Sequence, residues 1–272
     1  MEPSLTDQAH TVANAFVSAR RAAQPLTAYP GTRPIDLDGA YRIQAAAIDL
    51  DGRPVIGWKV GRINPPLDSQ LGSNRLAGPV FAGTVIEAAE DPNPAMAVFG
   101  GGFAAAEAEM MLRIAPGWDG HVPTDDAGTK AILDTVRLGI EIASSPYVGI
   151  NEDGPAVTIS DFGNNAGLVL GPEVAGWRDL DLCAIQVRTE IDGAVAGAAT
   201  AATMLDGPYG AVRFLLGNLK QRRIAVPDGL WVSTGAITGV HAVHIGQQIH
   251  AHFEGHGSVA CRISAASSCQ QS

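Results

Sequence analysis

Residues 101–114 read GGFAAAEAEMMLRI, an apolar run broken at its centre by Glu107 and Glu109, one residue apart. Such a segment belongs in a core, and a carboxylate taken into a core is costly unless it is paired or ligated. Backbone geometry decides whether the two acids act together. On a strand, positions i and i+2 point to the same side, whereas on a helix they diverge. Ala, Glu, Met and Leu are helix formers. Yet the glycines ahead of the run, and the alternation of Glu107, Glu109 and Met111 against Ala108, Met110 and Leu112, permit a strand. The local pattern leaves both open.

A third acid narrows the chemistry. Glu141 stands between Ile140 and Ile142 in GIEIASS, at the junction between a helix expected over 126–139 and a strand starting near Ile140. An acid between two isoleucines either faces away from their burial or is buried with a partner. Three converging carboxylates repel one another unless a cation neutralises them. A hard divalent ion with oxygen ligands, Mg²⁺ or Mn²⁺, fits Glu107, Glu109 and Glu141 and leaves positions open for water or substrate. Lys59, embedded in the apolar VIGWKVG, is either an edge-strand lysine whose head reaches water or a cation held near that ion.

Around these residues the chain divides unevenly. Amphipathic spacing predicts a helix over 5–24, and a second over 36–50 opened by Asp36 or Asp38. Short apolar runs at 53–61, 78–88 and 229–237 predict strands. A hairpin turning at Asp192-Gly193 is expected within 182–197, and one further helix near 208–222. Two helices followed by a β-rich body argue for an α+β fold. The expected organisation is a helical segment over 1–52, a metal-dependent catalytic domain over 53–265, and a frayed tail over 266–272 with Cys269 exposed.

Composition excludes other classes. The formal net charge is −10 and no long basic run exists, which argues against a nucleic-acid partner. No apolar stretch is long enough to span a bilayer, and MEPSLTDQAH lacks the pattern of a signal peptide. The three cysteines are far apart and form no CxxC, so a reducing, cytoplasmic setting is expected rather than a disulfide framework. His241, His244, His250, His252 and His256 crowd the C-terminal end. His250 and His252 share a strand face, but no cysteine or acid at ligand spacing completes a zinc set.

The segments LDGAYRIQ, GWKVG, EAE, GIEIASS, DFGNNAGLVLG and VSTGAITGVH…GQQIHAHFEGHGSV, in this order, resemble the 2-keto-4-pentenoate hydratase family. That family includes 2-oxohept-3-ene-1,7-dioate hydratase and 4-oxalocrotonate decarboxylase, within the fumarylacetoacetate hydrolase superfamily. The resemblance covers about residues 36–262. It implies a mixed β-roll behind a small helical N-terminal part, a homo-oligomer, and Mg²⁺ or Mn²⁺ on Glu107, Glu109 and Glu141. It maps the family's lysine onto Lys59. It also places Thr234, Gly235 and Thr238 on the carboxylate of a small 2-oxo or 2-hydroxydienoic acid. The family's Asp-Asn-Ala-Ser stretch falls on Asp161-Phe162-Gly163-Asn164, which makes Phe162 and Asn164 substrate-contact candidates and Asp161 a candidate base or partner of Lys59. Asn164 stands where the family has Ser, and Ser144-Ser145-Pro146 where it often has Asp-Ser-Arg.

The implied activity is hydration of a 2-hydroxy-2,4-dienoate to a 4-hydroxy-2-oxo acid. Decarboxylation of a 2-oxo-enedioate uses the same grip on the substrate. Tautomerisation, acylpyruvate-type hydrolysis and a non-enzymatic binding or assembly subunit are the remaining readings.

Overall fold

A computed structural model of the chain describes residues 5–268. Residues 269–272 of the expected tail, with Cys269, lie outside the described residues, and 266–268 have no regular structure. Helices α1 (Leu5–Ala22) and α2 (Leu37–Asp51) come first. The Asp36 carboxylate caps α2 by accepting from Gly39 N at 2.7 Å, and Gly52, left-handed at φ 77°, closes it. Helical spacing brings Val12, Ala13, Phe16 and Val17 of α1 against Ile43, Ala46 and Ala47 of α2 in one cluster.

The body is built on β1 (Val55–Arg62), α3 (Leu67–Leu71), β2 (Arg75–Phe81), β3 (Val85–Glu87), β4 (Ala95–Val98), β5 (Phe103–Ile114), α4 (Asp126–Ala131) and β6 (Leu133–Ser145). It continues through α5 (Pro155–Ser160), β7 (Asn165–Glu173), β8 (Gln186–Ile191), β9 (Ala194–Thr200) and α6 (Gly207–Gln221). It ends on β10 (Trp231–Ser233), β11 (His241–Ala242), β12 (Gln248–Phe253) and β13 (Gly257–Ala265). One sheet runs β2-β1-β10-β5-β6-β7-β3 with β11 added on β5; the other runs β4-β13-β12-β8-β9. Both hold parallel and antiparallel pairs, β1 with β10 and β13 with β4 being parallel. The α+β class and the mixed β-roll with a helical N-terminal part are what the chain forms. No described helix is long and apolar enough to cross a membrane.

The segment that was open between helix and strand is the strand β5, paired antiparallel to β6 along nearly its whole length. Period-two alternation sends Ala106, Ala108, Met110 and Leu112, with Leu138, Ile140 and Ile142 of β6, into the main core. Val187, Ile249, Phe253 and Leu215 join them there. The acids take the other face. The helix expected over 126–139 is a correction: α4 ends at Ala131, and 133–145 is strand. Asp125 does cap α4, but Val136, Leu138 and Ile140 alternate into the core, and pairing with β5 outweighs local helix propensity.

Candidate metal centre and cavity

Glu107 and Glu109 lie two apart on β5, and Glu141 is the direct cross-strand partner of Glu107. Side chains so opposed stand about 5 Å apart at Cβ. All three are buried, and their ligand oxygens lie within 4.8 Å of one another. Lys59 reaches this group from β1. Its neighbour Ser233 on β10 is in turn the partner of Met111 on β5, so three adjacent strands present Lys59, Ser233 and the acids on one face.

Fixed donors hold two of the three acids, Glu109 and Glu141. Ser233 Oγ donates a short hydrogen bond to Glu109 Oε2, and Gly235 N donates to the same oxygen at 2.9 Å. Asn165 Nδ2 donates to Glu141 Oε1 at 2.8 Å, and Lys59 Nζ stands 3.5 Å from that atom. Lys59 Nζ also donates to Asn164 Oδ1 at 3.2 Å, while Asn164 Nδ2 donates to Asn151 Oδ1 at 2.9 Å. Glu109 Oε1 and Glu141 Oε2 are buried with no hydrogen-bond partner among the described residues. Two such oxygens beside a third carboxylate are costly as they stand. A hard divalent cation would satisfy both, so the donor set fits one.

The charges respond accordingly. Burial, with Glu141 nearby, pushes the Glu107 carboxyl up to about 7 against the pull of Lys59. Burial, then Glu141 and Glu107, raises Glu109 well above the usual carboxylate range. Burial alone would lower the Lys59 ammonium, but Glu141, Glu107 and Glu109 together hold it above its ordinary value.

Lys59, Glu107 and Asn164 open onto a cavity of about 640 Å³. Thr234, Gly235 and Thr238 line it too, as do Arg62, Arg75 and the apolar Leu67, Leu76, Met204 and Val240. Their bonding differs from expectation. The Thr234 hydroxyl is committed to Met110 O at 2.9 Å, and Gly235 N to Glu109. Thr238 Oγ1 sits 2.7 Å from Thr189 Oγ1 and 3.1 Å from His241 Nε2. Of the two arginines, Arg75 is paired with Asp206, and Arg62 is exposed.

Two candidates are corrected. Asp161 does not face the cavity as a base or pair with Lys59; it is fully buried in an ion pair with Arg20 of α1 at 2.5 Å. Phe162 does not line the cavity either. Its backbone is left-handed, and its ring meets Phe81 edge-on at 4.9 Å and the Arg20 guanidinium at 5.1 Å. Sequence reading missed Ser233, Asn165 and Arg20. Ser233 could have been found as the one hydroxyl in the apolar WVS, and Asn165 as the second member of an Asn pair, but nothing local marks Arg20.

No family model matches the chain. The 4-oxalocrotonate decarboxylase of Pseudomonas putida is 30% identical over 133 residues, 49% of this chain; the chain spans only 50% of that relative. The 2-keto-4-pentenoate hydratase of Burkholderia vietnamiensis is 27% identical over 266 residues, covering 94% of this chain and 96% of the relative. Among solved structures, 4-oxalocrotonate decarboxylase from Pseudomonas putida G7, complexed with magnesium and adipate, superposes with a TM-score of 0.78 at 22% identity. That match covers 97% of this chain and 100% of the other. In sequence the chain is similar to 2-keto-4-pentenoate hydratases and 4-oxalocrotonate decarboxylases, and it shares the fold of the latter.

Proposed function

We propose that the chain is a divalent-metal-dependent hydratase that adds water to a 2-hydroxy-2,4-dienoate, giving a 4-hydroxy-2-oxo acid. The observation that carries this reading is the buried triad, with two partnerless carboxylate oxygens, whose Glu107 opens together with the Lys59 ammonium onto a cavity. The near full-length hydratase relative supports it.

Glu107, Glu109 and Glu141 would hold Mg²⁺ or Mn²⁺, which when bound supplies Lewis-acid polarisation to a carboxylate and 2-oxo group. The chain's own residues do the rest. Lys59, kept protonated by the triad and aimed by Asn164, stabilises negative charge on the substrate oxygen. That charge develops as the dienol becomes a 2-oxo enoate, and the ammonium keeps its own proton throughout. The proton lost from the enol oxygen is balanced by one gained at carbon, and water then adds at C4. Leu67, Leu76 and Val240 give the cavity apolar lining that suits a short unsaturated chain.

Decarboxylation of a 2-oxo-enedioate is the second reading. It is favoured by the decarboxylase relative and by Arg62, a cation on the cavity wall for which no ion pair is seen among the described residues. Incubating the protein with Mg²⁺ and a panel of 2-hydroxydienoates and 2-oxo-enedioates separates the two. Dienol absorbance lost without CO₂ supports hydration; CO₂ release transfers the assignment to decarboxylation; inertness of the whole panel rejects both.

A further inference from the structure

We infer that Arg20, on α1, is a positioning residue for this site, acting through segment 161–165 on Lys59 and Glu141. The inference rests on the triad being the reactive centre.

Arg20 concentrates nearly all of its bonding capacity on that segment. Its Nε donates to Asp161 Oδ1 at 2.5 Å and its Nη2 to Asp161 Oδ2 at 2.9 Å, a two-pronged grip on one buried carboxylate. Its Nη1 donates to Asn165 O at 3.1 Å, and Nη2 to Ser144 O at 2.9 Å. The guanidinium also contacts the rings of Phe99 at 5.2 Å and Phe162 at 5.1 Å. One side chain thus joins α1, the end of β6 and both ends of segment 161–165.

The segment needs such a hold. Phe162, Gly163 and Asn164 are consecutively left-handed, at φ 56°, 62° and 58°. Two of the three carry a Cβ, for which that conformation is unfavourable. Released from Arg20, the backbone has lower-energy alternatives. The two residues it delivers are the ones that touch the reactive group: Asn164 accepts from Lys59, and Asn165 donates to Glu141. A shift of this backbone therefore moves the ammonium and one metal-facing carboxylate together.

The test uses the full chain. Arg20→Gln alone leaves Asp161 buried and unpaired and risks the fold, so the variant pair Arg20→Gln/Asp161→Asn, which removes both charges, is made beside it. Mn²⁺ affinity is measured by titration calorimetry, kcat and KM on the dienoate that turns over, and cooperative unfolding by circular dichroism. The expected result, in a variant that unfolds cooperatively, is a Mn²⁺ affinity or kcat lower by roughly 10-fold or more with KM little changed, as for other residues that orient a ligand from outside. Losses in Arg20→Gln and Asn164→Ala should also fail to add in the combined variant, because both act through one contact. Unchanged Mn²⁺ affinity and kcat in a folded variant, or strictly additive losses, would overturn the inference. If the parent protein turns over no dienoate, the proposed reaction fails, and the Mn²⁺ titration and its additivity still decide the role of Arg20.

Discussion

Glu107 and Glu141 face each other across the β5–β6 ladder, two buried carboxylates locked in register on adjacent strands. Backbone pairing sets their spacing, so the carboxylates proposed to hold the cation are brought together by the sheet itself. Five outcomes follow from that arrangement and its surroundings.

Removing one ligand should abolish binding without unfolding the chain. Glu109→Gln keeps the side-chain volume and can still accept from Ser233 and Gly235. Calorimetry should show Mn²⁺ binding lost, with thermal stability of the metal-free protein equal to or above the parent, since one buried acid is gone. Parent-like Mn²⁺ affinity in this variant would remove Glu109 from the site.

Metal affinity should climb with pH. The Glu107 carboxyl is pushed up to about 7 and Glu109 is raised well above the usual carboxylate range, so toward acid pH the ion must displace protons. Mn²⁺ titrations between about pH 5.5 and about pH 8 should show tighter binding at the alkaline end and proton release visible as a buffer-dependent heat. A flat profile would contradict the raised carboxyls.

The metal-free protein should show the opposite trend. In the unfolded chain Glu107 ionises near 4.5, but in the fold only near 7. Between these values the folded state binds more protons, so its stability falls as pH rises through the window. Urea unfolding in chelator should show this decline, and saturating Mn²⁺ should reverse it.

Lys59→Met, which keeps the apolar stem and removes the charge, should lower kcat by roughly 10²- to 10³-fold. Mn²⁺ binding should survive, because the ammonium competes with the cation for Glu141 rather than ligating it. Turnover at the parent rate would leave Lys59 a structural residue.

Arg62→Gln should discriminate between the two reactions. Should a dicarboxylate be the substrate, its kcat/KM should fall at least about 10-fold while that of a monocarboxylate stays level. Equal effects on both would remove Arg62 from substrate recognition.

Much of the centre was legible in the sequence because chemistry marked it locally. Two acids inside an apolar run, a third between isoleucines and a lysine inside VIGWKVG violate the expected burial pattern, and the structure gathers all four. The helix expected over 126–139 failed because propensity in 133–139 is overridden by a strand partner that local reading cannot see. Asp161 passes for a base or a partner of Lys59 in the sequence because its actual partner, Arg20, lies far back in the chain. Phe162 was read as a contact because a left-handed backbone, which redirects its ring, leaves no trace in residue type. Residues that act at long range through an unusual backbone are the ones a sequence hides.

The close passage of Gly78 against segment 161–165 has a consequence of its own. A Cβ at Gly78 would fall 2.1 Å from the carbonyl oxygen of Phe162, and one at Gly163 would fall 3.0 Å from Gly78 Cα. Two bare backbones are thus in touch beneath Lys59, with no side chain to act as a spring between them. Movement of β2 is passed rigidly to the asparagine that aims the ammonium, so a single methyl group added at position 78 would detune the chemistry from outside the cavity.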